Sequence, residues 1–435
     1  MMAYPENVFI WKGECIMKRV VVLLLCAVMI IGVFAGCGKE ETQNETPKGF
    51  SVGFGRADVT PTESVNMPGY SSAGEPERMS TSVLNPLRVT CVAITDEAGQ
   101  TMLVYTCDAM QIKDAFANEL RKNISDATGV PTANIVLSAT HCHSTPAVDG
   151  TNILFYDGVV KAAKEALADR APATMEYGAT TLENMTFVRH YTTHTGIVVG
   201  DNFNPAGAGV RTGHTTEADK ELRLVRYNRE GKKPVVMLNW LGHASMASTA
   251  TTDYGKQFRY ALSSDYIGFC VDYMESNSDC LVALYIGASG NINPTTRMTG
   301  EAQLSAAEYG EELGKQAITA LSSMTAGTTG TVKTTAAAFE RQGGSIEIST
   351  MGAGSLGVVV APFEMFDTTS VAIREKSPYD TTFVLALANG YNSYMPTEIC
   401  YDYVDCYEVR ITQFFRGSAE KVADEYVKML TEIHG

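Results

Sequence analysis

Ile135-Val136-Leu137-Ser138-Ala139-Thr140-His141-Cys142-His143-Ser144 is the stretch on which the reading of the chain turns. Its opening is a short apolar run bounded by turn-forming residues, which predicts a buried strand. Residues i and i+2 of a strand share a face. If the strand persists, His141 and His143 emerge together at its C-terminal end, where open α/β sheets place their ligands. Only seven histidines occur in 435 residues, and two of them stand here. Neutral imidazole suits zinc, so the pair reads as half of a metal site. Two polar residues capping a turn is the alternative, and this stretch alone leaves both open. Cys142 should point to the opposite face and belong to the core.

Upstream, Met17-Lys18-Arg19 opens a basic region and Val20 to Gly36 is almost wholly apolar. A charged start, an apolar core and small residues at the end make a secretory signal. Phe34-Ala35-Gly36-Cys37 resembles a bacterial lipobox, whose cysteine becomes the lipidated N-terminus. A membrane-spanning anchor is the other reading, although the run is slightly short for one. Either way, the bulk is expected outside the cytoplasm, tethered to a bacterial cell membrane, and residues 1–36 are read as a signal segment of lipoprotein type. Met1 to Ile16 fit no signal pattern, leaving both Met1 and Met17 open as the start. Residues 37–48 have linker composition, and 49–435 are expected to form the folded domain.

The formal charge is −15. An acidic chain does not bind nucleic acid by counterion release, and an anionic membrane repels it, so a lipid anchor rather than surface charge would hold it there. Seven cysteines follow Cys37, at 91, 107, 142, 270, 280, 400 and 406, and their scatter is no disulfide framework. Cys400 with Cys406, or Cys270 with Cys280, could pair in an oxidising compartment.

Strands are predicted at Ser51 to Val59, Leu87 to Thr95, Thr101 to Thr106, Leu222 to Tyr227, Val235 to Trp240, Cys280 to Ile286, Thr331 to Phe339, Leu356 to Val360 and Thr382 to Leu387. Two pairs read as hairpins, about Asp96-Glu97-Ala98-Gly99-Gln100 and about Asn228-Arg229-Glu230-Gly231. Helices are predicted at Lys113 to Thr128, Gly158 to Asp169, Lys256 to Met274, Ser305 to Met324 and Ala419 to Ile433. Interleaved strands and helices with several hairpins argue for an α/β fold, a mixed sheet flanked by helices with the active site at strand C-terminal ends.

Four further places carry chemistry. His243 ends the β-rich run through Leu238-Asn239-Trp240, and Glu364 follows Val360-Ala361-Pro362-Phe363. Asn389-Gly390-Tyr391-Asn392-Ser393-Tyr394 follows a third strand, and Gly287 to Pro294 a fourth. Strands that each deliver polar residues at their ends assemble a site on a scaffold. A lone His or Glu in such a place is more often a turn residue or an ion-pair partner. No His-Glu-x-x-His helix, Gly-x-Ser-x-Gly elbow or phosphate-binding loop occurs, and neither Ser80 nor Ser289 has a base beside it in sequence. His190, His194 and His214 lie in a polar region, Thr186 to Thr216, and are expected to be exposed.

At these residues the chain resembles the neutral/alkaline non-lysosomal ceramidase family, in order from about Gly53 to Glu408. Gly53-Phe54-Gly55-Arg56-Ala57-Asp58-Val59-Thr60 and Met67-Pro68-Gly69-Tyr70 look like its opening. Tyr105-Thr106-Cys107-Asp108-Ala109 resembles its next core strand, and Thr140-His141-Cys142-His143-Ser144 its Thr-His-Thr-His-Ser segment. Asn239-Trp240 through His243, Ala361-Pro362-Phe363-Glu364 and Tyr391-Asn392-Ser393-Tyr394 match later segments. The resemblance implies zinc held by His141, His243, Glu364 and Tyr394. It implies proton transfer or support of the metal site by His143, a substrate-facing Arg189, and a Tyr407 that donates to the substrate carbonyl. It implies a zinc-dependent amidohydrolase acting on the linear amide of an N-acyl sphingoid or related N-acyl lipid.

The chain departs from the family at Asn293, where the family has a serine, and at Phe363, where it has a glycine and where the pocket is expected to be reshaped. The sequence ends soon after the last motif, so the family's immunoglobulin-like C-terminal domain is not expected in it. Two rivals stand beside this reading: a zinc hydrolase of another amide or an ester, and a non-catalytic solute-binding lipoprotein. Oligomeric state is not legible.

Overall fold

The computed structural model describes residues 48–70, 77–148, 152–200, 209–247, 249, 253–296, 298 and 304–434. Cys37, the signal segment and nearly all of the linker lie outside the described residues. Among the described residues, no helix is long and apolar enough to cross a membrane.

Eight strands carry the main sheet: β1 (Ser51–Asp58), β2 (Arg88–Thr95), β3 (Thr101–Cys107), β4 (Ile135–Ala139), β5 (Ala171–Thr181), β6 (Glu221–Arg229), β7 (Val235–Trp240) and β8 (Leu281–Ile286). They lie in the order β8-β7-β6-β5-β1-β2-β3-β4, with the short strand Thr325–Ala326 also on β5. Both predicted hairpins form, as antiparallel β2–β3 and β6–β7. The two outer pairs, β3–β4 and β7–β8, are parallel, so the sheet is mixed. A second sheet runs β9 (Lys333–Arg341), β10 (Gly344–Ala353), β11 (Leu356–Val360), β12 (Thr381–Leu385), with β11 and β12 parallel.

Alternation along each strand stacks these sheets into four layers. In β7, Val236, Leu238 and Trp240 face α3 (Asp265–Asn277) and α4 (Ala306–Ala320). Val235 and Met237 face the second sheet, where Met351, Val358 and Phe383 meet them. Farther along the main sheet, Cys91, Tyr105 and Leu137 pack on α1 (Asp114–Thr128) and α2 (Ile153–Ala168). The outer face of the second sheet packs through Ile348, Val359 and Val384 on α5 (Asp367–Lys376) and α6 (Ser418–His434). In α6, Val422, Tyr426, Met429 and Ile433 are all buried, as their helical spacing predicts. Helix–sheet–sheet–helix layering covers both faces of both sheets, so strands read as near-continuous apolar runs.

Several elements differ from the sequence reading. The helix expected over Lys256 to Met274 is interrupted. A short helix, Asp253–Gln257, is followed by the strand Ala261–Leu262 before α3 begins. Asp265 takes φ 56 there, and its carboxylate accepts hydrogen bonds from the Ala247 and Tyr266 amides. β5 and β10 were not anticipated, because Ala171–Thr181 and Gly344–Ala353 are rich in Ala, Gly, Thr and Ser and lack an apolar run. All seven cysteines in the described residues are free thiols, so neither suggested pair is bridged. The Cys142 thiol donates to the Ser263 carbonyl at 2.8 Å and is buried in the core, as expected, although the strand has already ended at Ala139.

Candidate metal centre and active site

Five strands of the two sheets end beside one another. β4 stops at Ala139. Asn389 then zips β4 to the segment after β12: its backbone N–H donates to the Leu137 carbonyl at 2.9 Å, its side-chain oxygen accepts from the Leu137 amide at 2.8 Å, and its side-chain nitrogen donates to the Ile135 carbonyl at 3.1 Å. Asn239, on β7, likewise bonds the backbone N–H and C=O of Val384 on β12. The two sheets are therefore joined at their C-terminal edge. His141, Leu387, Asn389 and Ser393 all have φ between 50 and 62° here. Left-handed backbone at non-glycine residues is strained and gathers at functional sites.

The expected strand does not persist through the His-x-His pair. His141 sits in a left-handed turn at φ 57. That turn, rather than strand alternation, brings the rings together. His243 arrives from the loop after β7. Ring centroids are 4.5 Å apart for His141–His243, 4.9 Å for His141–His143 and 5.1 Å for His143–His243. His143 Nε2 lies 3.4 Å from His141 Nε2 and 3.1 Å from His243 Nε2.

Each ring turns its other nitrogen to a backbone carbonyl. His141 Nδ1 is 2.8 Å from Met110 O, His143 Nδ1 is 2.6 Å from Gly69 O, and His243 Nδ1 is 3.4 Å from Ser289 O. A carbonyl oxygen cannot donate, so the proton of each neutral ring belongs on Nδ1 and three Nε2 lone pairs face one point. Glu364 adds a carboxylate. Its Oε2 is 3.3 Å from His141 Nε2 and accepts no hydrogen bond although it is buried. Its Oε1 accepts from the Tyr391 hydroxyl at 3.0 Å. Converging lone pairs and an orphaned buried oxygen repel one another unless a cation lies between them. The residues fit a divalent metal, and imidazole with carboxylate fits zinc.

Electrostatics agree. Burial, reinforced by the charge His141 would carry, pushes His143 and His243 well below the usual histidine range, which keeps their Nε2 atoms available as bases. Burial lowers His141 too, but the nearby Glu364 charge outweighs it and raises that group. Tyr394 lies opposite Glu364 in a short parallel pair, Glu364–Met365 with Tyr394–Met395. Burial and the Glu364 charge hold its phenol well above the ordinary value.

Above Tyr394 sits Arg189, its guanidinium 5.3 Å from the ring. Its Nε donates to Glu408 Oε1 at 2.7 Å, and its backbone N–H donates to Asn291 O at 2.9 Å. Asn291 in turn exchanges two hydrogen bonds with Asp367. The half-buried Tyr407 ring meets Tyr394 edge-on at 5.7 Å. Glu364 and Arg189 both act on its hydroxyl, which burial and Glu364 raise.

Close backbone packing fixes two approaches. A Cβ at Gly69 would stand 2.3 Å from His143 O, and one at Gly290 would stand 2.9 Å from Glu364 O. Only glycine lets these loops reach the site.

A family profile described as neutral/alkaline non-lysosomal ceramidase, N-terminal, matches residues 50–279, more than half of the chain. The chain belongs to the neutral/alkaline non-lysosomal ceramidase family. Among solved structures, a neutral ceramidase from Pseudomonas aeruginosa matches with a TM-score of 0.71 at 17% identity, over 88% of this chain and 74% of that one. A ceramidase complexed with C2 matches with a TM-score of 0.69 at 17% identity, over 88% and 75%. At that identity the likeness concerns the ceramidase fold. No curated protein matches.

Of the residues singled out from the sequence, His141, His143, His243, Glu364, Tyr394, Arg189 and Tyr407 come together within this ceramidase fold. Three expectations change. His190 is buried rather than exposed, its Nε2 3.0 Å from Glu408 Oε2. No sequence signal links it to a partner 218 positions away. Phe363 does not open into the site, because its ring is buried in the core against Phe414 at 5.2 Å. The strand expected to carry both His141 and His143 ends at Ala139. Glu408 was missed as a functional residue, and its adjacency to Tyr407 was the one available hint.

Proposed function

We propose that this protein is a zinc-dependent amidohydrolase that cleaves the linear amide of an N-acyl lipid, with N-acyl sphingoids of the ceramide type as the first substrate class, and that it works outside the cytoplasm from a lipid anchor at Cys37. The observation that carries the reading is the convergence of the His141, His143 and His243 imidazoles, with Glu364 Oε2 3.3 Å from His141 Nε2 and the Arg189 and Tyr407 side chains beside Tyr394. His141, His243, Glu364 and Tyr394 would hold the zinc, which when bound polarises a carbonyl and lowers the pKa of water towards about 7. His143 moves the proton. Its Nδ1 is fixed on the Gly69 carbonyl, so Nε2 is the nitrogen that exchanges, and its lowered basicity suits a group that must release what it takes. Tyr407 donates a hydrogen bond from its hydroxyl to the acyl oxygen as negative charge develops there. Arg189, held by Glu408 and Asn291, presents a fixed cation to the polar part of the substrate. The family and the fold support the choice of a lipid amide.

Purified protein should contain zinc and hydrolyse N-acyl sphingosine, with activity lost to a chelator and restored by zinc. An N-acyl amine and ester panel ranks the substrates: preference for an ester or a small amide would replace the lipid assignment. A metal-free protein without hydrolytic activity would leave the solute-binding reading. Labelling with a radioactive fatty acid, abolished in Cys37→Ala, tests the anchor.

A further inference from the structure

A second group of metal-type donors lies beside the first site. His190 Nε2, Cys406 Sγ and Glu408 Oε2 are mutually close: 3.0 Å from His190 to Glu408, 3.1 Å from Cys406 to Glu408 and 3.7 Å from Cys406 to His190. Bonds of about 2.0–2.3 Å to a tetrahedral ion put neighbouring donors roughly 3.3–3.6 Å apart. The observed triangle brackets that spacing without any backbone movement. All three residues are buried. A further thiol, that of Cys400, lies outside this three-donor triangle but in the same neighbourhood. Cys400 and Cys406 belong to one buried cluster with Tyr394 and Phe366.

We propose that His190, Cys406 and Glu408, joined on loading by the neighbouring Cys400 thiol, form a second, structural metal site that takes a thiolate-preferring divalent ion such as zinc or ferrous iron. Two sulfurs with one imidazole and one carboxylate oxygen discriminate against magnesium and calcium, which prefer oxygen. Loading displaces the two thiol protons and the His190 Nε2 proton that bonds Glu408 Oε2 and releases all three to solvent; no electron is transferred. One carboxylate, two thiolates and the Arg189 guanidinium about a divalent ion cancel in formal charge, as burial demands. The consequence is mechanical. Glu408 Oε2 faces the ion while Oε1 holds Arg189, so the ion would clamp residues 398–411 to the strand His190–Thr193. Arg189 and Tyr407 would then be fixed over the histidine site.

Cobalt(II) substitution of the full chain, purified under reductant and stripped of metal, tests this without reference to hydrolysis. The histidine site has only nitrogen and oxygen donors, so thiolate-to-cobalt charge-transfer absorption in the near ultraviolet reports the second site alone. Wild-type protein should develop that absorption to saturation. His141→Ala/His243→Ala protein should keep it and lose one of two cobalt equivalents, and Cys406→Ser should lose it. If Cys406→Ser does not fold, Glu408→Gln and Cys400→Ser with the wild-type spectrum decide the matter: absorption surviving in both overturns the site. Wild-type protein that binds cobalt with no such band also overturns it, as does native protein in which Cys400 and Cys406 are found disulfide-bonded. Hydrolysis can fail while the band persists, or persist while the band fails, so the two readings stand or fall separately.

Discussion

Residues 50–279 and the residues beyond them build the site in different ways. The first region carries the family signature and supplies His141, His143 and His243. Two of its apolar strands end within a few residues of an imidazole, and backbone carbonyls set the tautomers. The second region supplies Glu364, Tyr394, Tyr407 and Glu408. These come on two-residue strands and a five-residue helix, tied down by side chains such as Asn389 and Asn392. Asn392 donates to Asp114 at 3.0 Å and to Pro362 O at 3.1 Å. The sheet edge sets nitrogen donors rigidly, whereas the second region closes the site with oxygen donors through bonds that one substitution can cut.

The largest effect should come from the first region. His243→Ala should remove the metal and lower kcat/KM for amide hydrolysis on the order of 10³-fold, the worth of several kcal/mol of charge stabilisation. Zinc content measured alongside activity checks it, and full metal retention would break the division of labour. His143→Ala sharpens the same point: metal loss makes His143 a ligand, and metal retention with a slow kcat makes it the proton carrier.

Glu364→Ala, from the second region, should weaken zinc retention roughly 100-fold, read by competition with a chromophoric chelator, since His141, His243 and Tyr394 remain as ligands. Tyr407→Phe should keep the metal and lower kcat about 100-fold with KM little changed, as expected when an oxyanion donor is lost. A KM effect instead would assign Tyr407 to substrate binding.

Asn389→Ala cuts the bonds between β4 and the segment after β12 and leaves a non-glycine residue at φ 59. Denaturant unfolding should show a loss of about 2–3 kcal/mol. The smallest effect concerns Asp108, in the first region. Burial pushes its carboxyl up to about 7, against the Arg88 amide and charge, which pull it down. The folded chain therefore holds a proton that the unfolded chain releases near its ordinary value of 3.8. Between those values stability falls as pH rises. Asp108→Asn should flatten that slope, measured by chemical unfolding at about pH 5 and about pH 8.

Legibility cut across that division. β4, β7, β8 and β11 were readable because strands buried on both faces appear as apolar runs, and α6 because its apolar spacing is helical. β5 and β10 were not, since Gly178, Thr180 and Ser349 keep strand geometry only because their neighbours pair with them. The imidazoles were found from their place after strands. Glu364 and Tyr394 had bland readings of their own and gained meaning by resemblance. The burial of His190 was invisible, because its ion pair closes over 218 residues.

The amino-acid sequence by itself determined the mixed α/β class, the two hairpins and the pattern of histidines after strand ends, because each depends on local periodicity. Tertiary structure alone decided that the second sheet lies against the first, that His141 reaches its partners through a left-handed turn rather than along a strand, and that Arg189, His190 and Glu408 form one buried cluster. Those outcomes rest on contacts between residues a hundred or more positions apart, whose energies no local pattern records.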